Sequence, residues 1–258
     1  MKKLASLLLL AALPVCGMAQ SVDTIRTFTS KQLRRLKPGT REYLVFRQRT
    51  ERPQYNTSAV WVRDIAIDEK NQQIAVRQLW YAGDTLSNRQ IYSLNNLRNF
   101  QPLYHRAQTR RSGLDAFNFL PDRVVGADSV VDNKQAGFSM PHTSPTFNWE
   151  LDLETLELLD YAPNKQFVIN FYHPGSKTPP QWYVYRVVGK EKIPIQGGGQ
   201  EECWLLKINY SEQNYGQFWV SVKTREVLKM EELFNGVMRY KVKLSTPAIP
   251  LSPRKPLI

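Results

Sequence analysis

The chain has 258 residues, 42% of them hydrophobic and 11% aromatic, two cysteines and a formal net charge of +12. This composition excludes a disordered chain and a disulfide-stapled scaffold, and the length suits one sizeable core stabilised by burial. The positive surplus suits an anionic neighbourhood such as lipid headgroups, lipopolysaccharide or acidic glycans, while no nucleic-acid-binding motif accompanies it.

Residues 1–19 read as an export signal: Lys2 and Lys3, an apolar run over 7–13, then Gly17, Met18 and Ala19 as a small-x-small cleavage site. Cleavage after Ala19 removes two lysines and leaves a mature chain of net charge +10 starting at Gln20. The alternative, a lipoprotein anchored through Cys16, meets Val15 where such processing wants a small residue. Beyond residue 19 no apolar run is long enough to cross a bilayer, so the expected location is the periplasm or the exterior. Cys16 leaves with the signal, and Cys203 stays without a disulfide partner.

Residues 20–40 form an N-terminal segment with a short basic helix, capped by Ser30, carrying Leu33 and Leu36, and ended by Pro38 and Gly39. A single β domain is expected over 41–245. Strands are predicted at residues 43–48, 60–67, 74–81, 90–94, 100–107, 165–172, 182–188 and 203–210, all rich in Val, Ile and aromatics with period-two patterning. Turn clusters such as Gly83-Asp84, Pro174-Gly175 and the three glycines at 197–199 separate them, which gives an antiparallel meander. Trp204, Leu206 and Ile208 share one strand face. The segments around Phe167 and Trp182 are apolar on both faces and predict cover on two sides. One longer helix is predicted over 148–163, with Asn148 as cap and Trp149, Leu153 and Leu156 on one stripe. Its glutamates, Glu150, Glu154 and Glu157, are expected to face solvent. Residues 246–258, with four prolines, read as a tail outside the fold.

Reactive groups are sparse. His105, His142 and His173 show no metal-binding spacing, Asp128 and Asp132 lack the remaining ligands of a calcium loop, and the glycines at 197–199 are not followed by a phosphate-binding helix. No serine elbow occurs, and Cys203 has no thiol-enzyme signature. No catalytic residue, metal or cofactor is expected, and the chain reads as a non-enzyme.

"GQFWVSVKTREVLKMEELFNGVMRYKVKL", residues 216–244, resembles the closing meander of the Lol-type lipoprotein carrier superfamily: a Trp-bearing strand, a Lys-Thr turn, a Leu-Lys-Met-Glu strand and an Asn-Gly turn in that order. "YRVVGKEKIPIQGGGQEECWLLKINY" upstream resembles the preceding strands of a bacterial family of secreted, Lol-like domains. The resemblance spans about residues 183–244 and leaves 108–163 outside it. It implies a mainly β (α+β) fold, a curved antiparallel half-barrel with a few short helices packed on its concave side. It also implies an apolar cavity and a lipid, acyl chain or other lipophilic envelope component as ligand, without catalysis.

Two-sided strands leave sheet area that the helices cannot cover, so a second layer or a cavity must fill it. A cavity between the sheet and residues 149–161 would be walled by Trp149, Trp182, Tyr185, Trp204, Trp219, Met230 and Tyr240, with a basic rim for an anionic headgroup. The alternative is a glycan- or protein-interaction module of the envelope with exposed aromatics and no ligand cavity. A third reading makes every aromatic core and the chain a scaffold. For the last hairpin, alternation of Met238, Tyr240, Val242 and Leu244 predicts a three-residue loop, 234–236, that pairs Met230 with Tyr240. Cys203 is predicted to be an inert, dispensable thiol.

Overall fold

The computed structural model describes residues 21–245, so the signal segment, Cys16 and the Pro-rich tail lie outside the described residues. One sheet of sixteen strands makes up the body. The strands are β1 (Val22–Ile25), β2 (Gly39–Arg49), β3 (Thr57–Asp68), β4 (Gln73–Ala82), β5 (Arg89–Asn96), β6 (Pro102–Thr109), β7 (Gly113–Phe119) and β8 (Arg123–Gly126). They continue as β9 (Ser139–Pro141), β10 (Phe147–Asn148), β11 (Gln166–Tyr172), β12 (Gln181–Pro194), β13 (Gln200–Asn209), β14 (Tyr215–Ser221), β15 (Val227–Phe234) and β16 (Val237–Lys243). The spatial order runs from β1 through β11 to β16, then from β2 to β9. Strand β10 follows β1 along the same edge of β11, and these two are the parallel pairings in an otherwise antiparallel sheet. The sheet is curved and unclosed, a half-barrel with few short helices.

Inward and outward faces follow the period-two pattern. Trp204, Leu206 and Ile208 of β13 and Phe218 and Val220 of β14 enter the main core with Phe167, Ile169 and Phe171 of β11. Cys203 and Trp219 point to the other face, where they join Ile193 in a small outer cluster under the long β12–β13 arm. The glycines at 197–199 turn the tip of that arm. Burial pushes the Cys203 thiol up to about 12, which makes it a poor nucleophile.

The concave side holds residues 149–159. A single 3-10 turn, Trp149–Leu151, is capped by the Asn148 side chain, and α2 (Asp152–Glu157) follows. The helix is shorter than the sequence predicts, and its acidic groups do not face solvent. Asp152, Glu154 and Glu157 are buried beside Leu151, Leu153, Leu156, Leu158 and Leu159. Each carboxylate meets a base from an inward-facing strand position. Arg63 on β3 grips both oxygens of Glu154, through Nε at 2.8 Å and Nη2 at 2.5 Å. Arg41 on β2 binds Glu157 at 2.5 Å, Lys241 on β16 lies 3.6 Å from Asp152, and Arg89 on β5 lies 2.9 Å from Glu150. Spacing on a helix cannot reveal these partners, because they come from strands remote in sequence.

That ionic interior also fixes the last hairpin. Its loop has two residues, Asn235 and Gly236, at φ 50° and 73°, and Phe234 stands opposite Val237. Met230 therefore pairs with Lys241, not Tyr240. The three-residue loop is overturned because Arg239, Lys241 and Lys243 occupy the inward register and Tyr240 and Val242 the outward one. Lys241 is buried against Asp152 and over the Trp61 ring. The two-sided strands divide as well: Tyr172 is covered by a second cluster with Phe117, Phe119 and Val124, whereas Trp182 and Val188 of β12 are exposed on the outer face.

Residues 21–40 contribute to the same body. Strand β1 joins the sheet, and α1 (Ser30–Leu33) is capped by Thr29 with a reciprocal bond from Gln32, one residue before the predicted cap. Leu33 and Leu36 enter the core, and Phe28 packs on Phe100 and Phe147. Strands β7, β8 and β9 fall in the stretch where no strand was predicted. They are short, and the loop between β8 and β9 is tied by Asn133, whose side-chain amide donates to the Ala116 and Ala127 carbonyls.

Candidate binding site

At the end of the half-barrel where β2, β13 and β15 finish and β12 and β16 begin, a recess of about 570 Å³ opens. Its floor is aromatic. The capped turn at 149–151 carries Trp149 out of the buried segment, where its ring stacks on His173 at 4.5 Å and meets Tyr183 edge-on at 4.6 Å and Phe171 at 5.0 Å. Tyr210 and Phe234 extend the aromatic wall. Burial lowers the His173 pKa, which favours the neutral ring in this stack.

Its rim is basic. Arg47 and Arg49 project from the inward positions of β2, and Arg239 from β16. Glu232 on β15 pairs with Arg239 at 2.6 Å and accepts the Tyr210 hydroxyl at 3.2 Å. Arg47 stands directly opposite Arg239 across the β16–β2 ladder. Burial, with Arg239 and Arg49 as like-charged neighbours, lowers the Arg47 pKa. The Arg239 Nε is buried without a hydrogen-bond partner. Behind the recess a column of rings and cations continues inward: Lys241, Trp61, Trp80 and Arg89, with the two indoles stacked at 3.7 Å and each cation 4.8 Å from its ring.

Of the seven residues predicted from sequence, Trp149 lines this recess. Tyr185, Trp204 and Met230 lie in the core behind it. Trp182 is exposed on the outer face, Trp219 belongs to the outer cluster, and Tyr240 sits beside Phe46 on the convex side. The space between the sheet and residues 149–161 is filled by leucines and ion pairs, and the open volumes lie elsewhere: at the mouth, and in a second recess of about 620 Å³ at the base of the β12–β13 arm, lined by Ile193, Ile195, Leu228 and Val242, which contains none of the seven. Sequence reasoning passed over Arg47, Arg239, His173, Tyr183, Tyr210 and Phe234. The one available signal was the basic run at alternate positions 239, 241 and 243, whose direction only the acidic helix decides.

The histidines are placed apart. His105 is sealed inside, with its Nδ1 accepting from the Ser93 hydroxyl at 2.9 Å and the Asn148 amide at 3.1 Å, and burial lowers its pKa to about 4. His142 lies in a separate recess of about 450 Å³ with Phe119 and Leu120. Among the described residues no three His, Cys, Asp or Glu side chains gather around a metal-sized site, and no helix is long and apolar enough to cross a membrane.

Among solved structures, the chain is similar to a β-barrel-like protein of the domain of unknown function DUF1849 from Brucella abortus. The likeness has a TM-score of 0.53 at 7% identity and covers 81% of this chain and 98% of that one. At this identity the likeness is one of fold. A DUF1329 family protein from Desulfovibrio piger ATCC 29098 aligns over 86% of this chain and 90% of its own, at 9% identity and a TM-score of 0.29. No curated protein matches the chain. A family model described as a protein of unknown function, DUF3108, matches residues 33–243, nearly the whole described body, and the chain belongs to that family.

Proposed function

We propose that this protein is an exported, non-catalytic envelope protein that binds a lipid or other apolar ligand in the aromatic recess at the mouth of its half-barrel, as a carrier of the Lol type would. The observation that carries the reading is the recess itself. Its volume of about 570 Å³ falls in the range of small-molecule sites, and its floor is built from Trp149, Tyr183, Tyr210 and Phe234. Because the deeper interior is packed, the ligand lies at the mouth and not between sheet and helix. The absence of catalysis is part of the proposal: His105 and Ser93, the pair with nucleophile-and-base chemistry, are sealed from solvent.

Delipidated protein titrated with a fluorescent fatty acid should bind it at micromolar concentration, with displacement by added phospholipid. Trp149→Ala should weaken that binding. Absence of binding, or an unchanged affinity in Trp149→Ala, sinks the reading. A second reading, an interaction module, is favoured by the exposed outer row of Val242, Leu44 and Phe46 on β16 and β2. Under it, substitution of Phe46 and not Trp149 would abolish partner binding.

A further inference from the structure

We infer that the mouth recess contains an oxyanion subsite formed by Arg47 and Arg239, so that its ligand is a single-chain amphiphile whose head is a carboxylate or phosphate. The inference rests on the proposed apolar binding at the same recess and adds the chemistry of the head.

The argument starts from a broken local rule. Like charges directly opposite on neighbouring strands destabilise a sheet, yet Arg47 and Arg239 are register partners on β2 and β16 and both face the recess. Local conflicts of this kind concentrate at functional sites. Arg49, two positions on, adds a third guanidinium to the same rim. One carboxylate, Glu232, stands among them, and it is engaged by Arg239 Nη2 and by the Tyr210 hydroxyl. The guanidinium of Arg47, an exposed residue, makes no hydrogen bond or ion pair among the described residues and feels Glu232 only at longer range, while Arg239 Nε is buried with no partner. A buried donor left unmade is costly, and guanidinium donors match carboxylate and phosphate oxygens.

The aromatic floor places the rest of the ligand. Trp149, Tyr183 and Tyr210 present ring surface below the arginines, so a chain that enters head-up lays its methylenes on the rings while its oxygens meet the guanidiniums. A recess of about 570 Å³ is the size of one drug-like ligand, which favours a single chain over a two-chain lipid.

Isothermal titration of the delipidated full chain with dodecanoate, its methyl ester and dodecyl phosphate separates the claims. Dodecanoate or dodecyl phosphate should bind at least about tenfold more tightly than the uncharged ester, a difference that added salt erodes. The tighter of the two anions tells whether the head is a carboxylate or a phosphate. Arg47→Gln should collapse the gap between anion and ester while its melting temperature stays equal to or above that of the native chain, because the substitution relieves repulsion. Arg239→Lys, which keeps the charge but loses Nε, should narrow the gap too. Arg186→Gln, exposed on β12, should leave every affinity unchanged. If ester and anions bind equally, the subsite is overturned and the apolar reading stands. If none of the three binds, both fall. A gap that persists in Arg47→Gln and Arg239→Lys overturns the assignment to these residues.

Discussion

Arg63 is buried and held at every nitrogen of its guanidinium. Its Nε and Nη2 hold Glu154, its Nη1 donates to Gln78 Oε1 at 2.9 Å, and Nη2 also reaches the Glu150 carbonyl at 2.9 Å. Burial alone would depress this guanidinium, but the Glu154 carboxylate overrides it and holds it above its ordinary pKa. Removal of one partner leaves a buried charge without compensation, so Glu154→Leu should cost about 3–5 kcal/mol in urea unfolding, and Arg63→Met in the same chain should recover much of it. A double variant no more stable than the single one would contradict the pairing. Lys241 makes a pH-dependent counterpart. Burial lowers its pKa from 10.5 to about 8, against the pull of Asp152. The unfolded chain therefore holds the lysine proton more tightly than the folded one between those values, and this group's contribution to stability rises as pH goes from about 8 to 10.5. The native chain should gain on the order of 3 kcal/mol across that window relative to Lys241→Met. Equal slopes of unfolding free energy against pH in the two chains would show that Lys241 titrates normally.

At the level of elements, the longer strands were legible and so was the face of β13, but the facing of β16 was not. Alternation located β2 to β6 and β11 to β16 from Val, Ile and aromatic content, because a half-buried ladder repeats every two residues. It failed on β16 for a specific reason: the segment 237–243 alternates apolar and basic residues, and ordinary patterning sends the bases to water. Here the bases are inside, since the concave layer carries Asp152, Glu154 and Glu157, and a charge goes where its counter-ion is. The acidic segment and the basic strand each looked solvated alone, and only together do they explain one another. The Asn235-Gly236 turn follows from that pairing. Both residues have positive φ, the requirement of a two-residue turn that matches strand twist. Gly236→Ala should cost about 1 kcal/mol, or about 2–4 °C in Tm. Insertion of one glycine between Asn235 and Gly236 should cost little more, since the buried charges keep the ladder in register and the extra residue is taken up as a three-residue loop. A loss of several kcal/mol, as from a slip that turns Lys241 outward and Tyr240 inward, would show that the turn and not the buried charges sets the register.

For the whole molecule the question is what keeps an unclosed sheet curved. The ends of the strand order, β1 with β10 at one side and the β5–β9 stretch at the other, are joined by side chains and single backbone bonds. Asn148 of β10 reaches Ser93 and His105 on β5 and β6. The Phe28 backbone amide donates to the Asn99 carbonyl at 3.2 Å, and the Gln101 side-chain Nε2 to the Arg26 carbonyl at 2.8 Å. Phe28 itself sits between Phe100 and Phe147. Phe100 is held at a φ of 61°, a conformation uncommon for a bulky residue, with its ring in the core. None of this was readable in the sequence: β1 has four residues and β10 two, too few for a period to register, and the hydrogen bonds of the seam join residues 43 or more positions apart. The seam predicts a shared loss. Phe28→Ala removes a ring that belongs to both ends, so it should cost about 3–5 kcal/mol, near the full price of a buried phenylalanine. If the seam acts as one unit, hydrogen exchange in that variant should accelerate together at Val168 on β11 and at Tyr104 and Arg106 on β6, while β13 and β14 keep their protection. Acceleration confined to residues 21–36 would mean that the N-terminal segment merely covers the body, and that the curvature is held by the ion pairs of the concave layer alone.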